Sequence, residues 1–241
     1  MENYKKLADA KLQVGEKQIS LPVYEGSEKE RGIDISLLRE QTKHITFDHG
    51  FTNTGSCMSS ITYINGEKGI LRYRGIPIEQ LAEKSTFVET SYLLIYGKLP
   101  TQKEKDNFSQ GLTANALLHD DIKHIFDGFP SSTHPMAILS SVVSALSGYY
   151  PAALNFKQDE AQITSTAIQL ISKVRTIAAY SYKKSVGEPF IYPKHGLKYC
   201  ANFLHMMFSL PGEDYVMDED VKQALEMALI LHADHEQNCS T

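Results

Sequence analysis

The 241-residue chain has no Lys/Arg-rich block: its 24 basic residues are outnumbered by 29 acidic ones, and the net charge is -5. Nucleic acid, whose phosphates need a basic face, is therefore not an expected partner. Cysteine is scarce. Cys57, Cys200 and Cys239 lie far apart and form no C-x-x-C pair, so neither a zinc clamp nor a dithiol couple is spelled out. That usage fits a reducing cytoplasm. The most apolar stretches, residues 137–146 and 225–231, fall well short of the ~20 residues that span a bilayer, so no membrane insertion is expected. The opening MENYKK leads into no signal-type apolar run and already contains an acid, so no targeting segment is read. Phosphate-loop signatures are missing too, because residues 50–56 (GFTNTGS) carry neither G-K-[ST] nor G-x-G-x-x-G. What is there is 42% hydrophobic content, enough for a substantial core in one large domain or two small ones.

The pattern changes along the chain. Residues 17–25 alternate, with Ile19, Leu21 and Val23 on one side, as a half-buried strand does, and Pro22 marks it as an edge strand. Charged residues 25–31 read as a loop, followed by strand-like segments at 33–35 and 43–48. Residues 60–64 and 69–73 flank Asn65-Gly66 and spell a hairpin. Beyond residue 76 the period becomes helical. Pro77 is suited to a first helical position, and apolar residues from Ile78 to Leu93 describe a helix or a broken pair ending at Gly97. Thr101 and Glu104 match a capping box. Further helices are expected over 136–146, over 164–182, and from the acids at 218–220 to about His235. The fold class is mainly α: a small β-rich N-terminal segment over 1–48 leading into a helical body over 49–241.

The stretch His232-Ala233-Asp234-His235-Glu236-Gln237-Asn238 is the strongest candidate for chemistry, since two imidazoles three apart on a helix share a face. Spacing leaves three readings open. Zinc ligation is one, although His-x-x-His-Glu matches neither H-E-x-x-H nor H-x-x-E-H. A helix-end histidine that only answers the dipole is another, and recognition of an anionic substrate is the third. Lys183-Lys184 at a helix end reads more naturally as a solvated cap than as a phosphate grip. Arg72 and Arg74 alternate with Leu71 and Tyr73, which puts them on one strand face, either as exposed charge or as an anion site.

Six segments together resemble the citrate synthase family, in its bacterial form with an added N-terminal β-rich segment. They are 46–51 (TFDHGF), 69–82 (GILRYRGIPIEQLA), 132–136 (STHPM), 187–193 (GEPFIYP), 202–208 (NFLHMMF) and 232–241 (HADHEQNCST). The resemblance implies a helical large domain carrying a small domain that closes over substrate, and the condensation of acetyl-CoA with oxaloacetate to citrate and CoA. Acetyl-CoA enters as a substrate; no metal or other cofactor is implied. A homodimer or a hexamer of dimers is the implied assembly. His235 matches the family's oxaloacetate-binding histidine, with His232 and Asn238 supporting it. The catalytic histidines, the catalytic aspartate and the substrate-clamping arginines are expected beyond Thr241. The chain is accordingly expected to be part of a longer polypeptide and inactive by itself.

Two departures stand out. His49 replaces the family's usual proline, and residues 112–116 (LTANA) with Gln169 replace basic groups of NADH-inhibited relatives, which implies weak NADH inhibition. A 2-methylcitrate synthase using propionyl-CoA is the alternative within the family. A non-catalytic helical assembly module, built on the apolar helices over 136–146 and 164–182, is the alternative of another class.

Overall fold

The computed structural model describes residues 4–151, 155, 157 and 159–235. It divides into two compact units, Met1–Ser60 and Ile61–Thr241.

In the first unit, β2 (Ala10–Val14) and β3 (Lys17–Leu21) form an antiparallel hairpin, turned at Gly15, whose φ of 62° suits a residue without a Cβ. β4 (Val23–Glu25) lies between β1 (Lys5–Lys6) and β5 (Arg31–Ile33) in a separate sheet. The single strand expected over 17–25 is thus two strands. Pro22, which has no N–H to give a ladder, is the break between them. Residues 43–48 form no strand either, because a short helix α1 (Leu38–Thr42) precedes them and Lys43 closes it in the left-handed region at φ 66°. Ile19, Leu21 and Leu38 form this unit's core, with Leu12 against them.

The second unit opens with the expected hairpin, β6 (Thr62–Asn65) and β7 (Ile70–Tyr73), to which β8 (Ile76–Pro77) adds a third strand. Pro77 pairs with Arg72 in that sheet and stands just before α2 (Ile78–Lys84) as its N-cap, not inside it. The helical pattern up to Gly97 is the broken pair: α3 (Phe87–Tyr96) restarts at a Thr86/Glu89 capping box and ends at Gly97 with φ 77°. Thr101 and Glu104 form the capping box expected for α4 (Gln102–Ala114). The ion pair with Lys98 and the donors of Thr101 hold the Glu104 carboxyl down to about 2.

After α5 (Ile122–Asp127), Pro135 opens α6 (Pro135–Tyr149) at its first turn. Then α7 (Glu160–Val186) runs 27 residues from an Asp159/Gln162 capping box. Helices α5, α6 and α7 bury Ile122, Phe126, Ile138, Val142, Leu146, Ile177 and Tyr180 together. At the α4–α7 crossing, a Cβ on Gly111 would stand 3.3 Å from Ile168, so glycine sets how closely these helices approach. The long α7 thereby becomes a spine against which α4, α6 and α8 (Tyr199–Phe208) pack.

A buried polar network ties the end of α7 to α8. Lys183, expected as a solvated cap, is fully buried; its Nζ donates to Glu188 Oε2 at 2.6 Å and to the Ser209 carbonyl at 2.7 Å. Ser209 Oγ accepts from the Tyr215 N–H at 2.9 Å and is hydrogen-bonded at 2.8 Å to Nδ1 of buried His205. Burial is the main reason that the His205 imidazolium is disfavoured, with Lys194 adding to it and Asp214 opposing. The group therefore titrates below its ordinary 6.5, and the stability it supports is complete above that value and is lost as pH falls through the lower folded value. The stability gap between the wild-type chain and His205→Gln is expected to narrow on acidification from about pH 7.5 to about pH 5.5, as read from urea midpoints. A gap that stays constant over that range contradicts this assignment.

Candidate substrate-binding turn

The last described helix, α9 (Glu219–Leu231), starts at Asp218, whose side chain accepts from the Asp220 and Val221 N–H groups. It is fixed to the rest of the second unit at two points. Near its middle, Glu226 Oε2 accepts from the Phe87 N–H at 2.7 Å, and near its end Ile230 is buried with Tyr73, Ile78, Leu81 and Leu93.

The helix ends at Leu231, four residues before the expected stop at His235. His232 is its C-cap, with its N–H bonded to the Ala228 carbonyl at 3.2 Å and its ring Nδ1 2.7 Å from the same oxygen. The two imidazoles therefore do not share a helical face. The physical reason is competition for the chain beyond Leu231. Tyr73 Oη donates to the Leu231 carbonyl at 3.3 Å, and Thr62 Oγ1 donates to Asp234 Oδ2 at 2.5 Å, so the β6–β7 hairpin draws residues 231–234 into a turn. His235 follows directly and is exposed. Asn238 lies outside the described residues. Asp234 lies within the stretch singled out from the sequence, but Thr62 and Tyr73 were not legible as part of this site, because a contact spanning 172 residues leaves no local signal in the sequence.

Burial pushes the Tyr73 hydroxyl up from its ordinary value, which keeps it a neutral donor. Cys200 is buried and its thiol is likewise pushed up by burial, so it acts as core and not as a nucleophile. Arg74 is not on the strand face beside Arg72: it sits past the end of β7 at φ 50°, and its Nη2 donates to the Leu94 carbonyl at 2.7 Å. Among the described residues no group of three His, Cys, Asp or Glu side chains is placed to hold a metal ion, and no helix is long and apolar enough to cross a membrane.

Among the described residues, two clefts of note lie elsewhere in the second unit. One, of about 450 Å³, runs between α4 and the segment entering α8, lined by Ser109, Gln110, Thr113, His195 and Lys198. The other, of about 110 Å³, lies between α6 and α7 around Tyr150, Gln169 and Lys173. Thr113 and Ala114 line the first and Gln169 the second, whereas Leu112 and Ala116 are buried.

The family model for the C-terminal domain of citrate synthase matches residues 50–241. The chain belongs to the citrate synthase family. It is 53% identical over 224 residues to citrate synthase 1 of Mycobacterium tuberculosis, an alignment that takes in 93% of this chain and 52% of that protein. The crystal structure of citrate synthase from Thermotoga maritima is similar with a TM-score of 0.66 at 34% identity, over 81% of this chain and 49% of that one. Citrate synthase from Pyrobaculum aerophilum gives 0.68 at 31% identity, over 94% and 50%. The Thermoplasma acidophilum citrate synthase, solved as a ternary complex with carboxymethyl coenzyme A and oxaloacetate, gives 0.70 at 26% identity, over 81% and 49%. The mainly α citrate synthase fold expected from the sequence is thus the fold observed. The chain spans about half the length of the curated relatives it matches.

Proposed function

We propose that the protein carrying this chain is a citrate synthase that condenses acetyl-CoA with oxaloacetate. The observation that carries the reading is the 53% identity over 93% of the chain to a protein named citrate synthase. That name also favours acetyl-CoA over the propionyl-CoA of a 2-methylcitrate synthase. Within this chain, His235 is assigned to oxaloacetate, donating to its oxygens, with His232 and Asn238 in support. Its exposure at the end of a fixed turn suits a group that meets a ligand, and the bond of His232 to Ala228 suits a group that shapes the turn.

The reaction removes a proton from the acetyl methyl, joins the resulting enol to the oxaloacetate ketone carbon, and hydrolyses the thioester to free CoA. Proton transfer and electrostatic stabilisation of this kind need positioned acids and bases in a site closed to water. Those groups are assigned to the half of the family's length that this chain does not span. A cytoplasmic homodimer or hexamer of dimers completes the reading, in keeping with the free thiols of Cys57 and Cys200. The test is CoA release from acetyl-CoA. The full-length protein is expected to release it only when oxaloacetate is present, and this chain alone to release none. Turnover by the isolated chain, or none by the full-length protein, overturns the reading.

A further inference from the structure

We propose that Thr62 is a positioning residue for His235, acting through the Asp234 carboxylate. The inference rests on the assignment of His235 to oxaloacetate and names what holds that histidine in place.

Thr62 and Tyr73 are direct partners across the β6–β7 ladder. Opposed residues of an antiparallel pair project from the same face of the sheet, so one rung presents two hydroxyl donors side by side. Thr62 takes the Asp234 carboxylate at 2.5 Å, and Tyr73 takes the Leu231 carbonyl at 3.3 Å. The rung therefore grips both ends of the turn that follows α9. His235 comes one residue after the gripped carboxylate, and only the two soft backbone dihedrals of each residue separate them.

The grip is firm because the rung is firm. Tyr73 is fully buried, β7 is bonded on both edges, and the Arg74 N–H extends the pairing to the Ile61 carbonyl at 2.6 Å. A hydroxyl donating to an ionised carboxylate makes a short, charge-assisted bond, stronger than a neutral one. Such a contact fixes the path of the chain into His235 without touching the substrate.

If the contact only stabilised the fold, its loss would lower thermal stability and leave substrate affinity alone. A positioning role makes a sharper demand. In the full-length protein, Thr62→Val keeps the shape and removes the donor, and is expected to raise the KM for oxaloacetate about fivefold or more while leaving that for acetyl-CoA within about twofold. Thr62→Ser, which restores the hydroxyl, is expected to return the KM close to wild type. In a His235→Gln background, Thr62→Val should add less than about twofold, because a positioning residue has nothing left to position. Asp234→Asn, which weakens the same bond from the other side, serves if Thr62→Val does not fold, with the same rise expected.

An unchanged KM in Thr62→Val or its substitute, or an equal rise with and without His235, overturns the inference. Should the wild-type protein show no oxaloacetate-dependent turnover, or His235→Gln leave the KM unchanged, the functional reading is what fails, and the two failures are separable within one set of assays.

Discussion

His235→Gln in the full-length protein is expected to raise the KM for oxaloacetate by about 10- to 100-fold, the scale of losing a hydrogen bond to a charged group at ~1.5–3 kcal/mol. Glutamine has an amide donor on a flexible stem and cannot set an N–H where the rigid ring places it. If the histidine holds oxaloacetate equally in the ground and transition states, the loss appears in KM; any excess in kcat measures how much tighter the grip becomes as charge develops on the ketone oxygen. The KM for acetyl-CoA should stay close to wild type. Steady-state kinetics with each substrate varied in turn reads both values, and an unchanged oxaloacetate KM would remove His235 from the site.

Lys183→Met is expected to cost about 3 kcal/mol of stability without any direct effect on substrate contacts. The ammonium is fully buried and donates to two acceptors on different segments, Glu188 and the Ser209 carbonyl. Methionine fills much of the space but donates nothing. Glu188 is 40% exposed in its side chain and can return to water, so the penalty falls chiefly on the buried Ser209 carbonyl and on the lost charged bonds. Since Ser209 also serves His205 and Tyr215, the segment after α8 should loosen first. Thermal unfolding should shift down by about 6–12 °C for a chain of this size. A shift within about 2 °C would mean that the network contributes little beyond what packing supplies.

Local chemistry was the legible part of the sequence. The Thr101/Glu104 box, the Gly97 stop, the opening of α6 at Pro135 and the Asn65-Gly66 hairpin each depend on a few neighbouring residues, and each stands in the structure. The misreadings arose where a local break or a remote partner overrode the local period. Alternation over 17–25 spoke for one strand, but Pro22 let its halves pair with different partners. Helical periodicity carried α9 on to His235, whereas Thr62 and Tyr73, remote in sequence, bend the chain after Leu231. Two adjacent lysines at a helix end looked like a solvated cap until the segments around Glu188 and Ser209 enclosed one of them. Motif resemblance named His232 and His235 as candidates; the hairpin rung that holds their turn was not legible, because a single hydroxyl across 172 positions has no pattern to betray it.

The central claim is that the turn after α9 is where this chain meets oxaloacetate. Amide hydrogen exchange of the full-length protein, followed at residues 229–235 with and without oxaloacetate, tests it most directly. Slowed exchange in that segment on adding oxaloacetate, diminished in His235→Gln, is the predicted result. Exchange there that ignores oxaloacetate in an enzyme that turns it over would contradict the account.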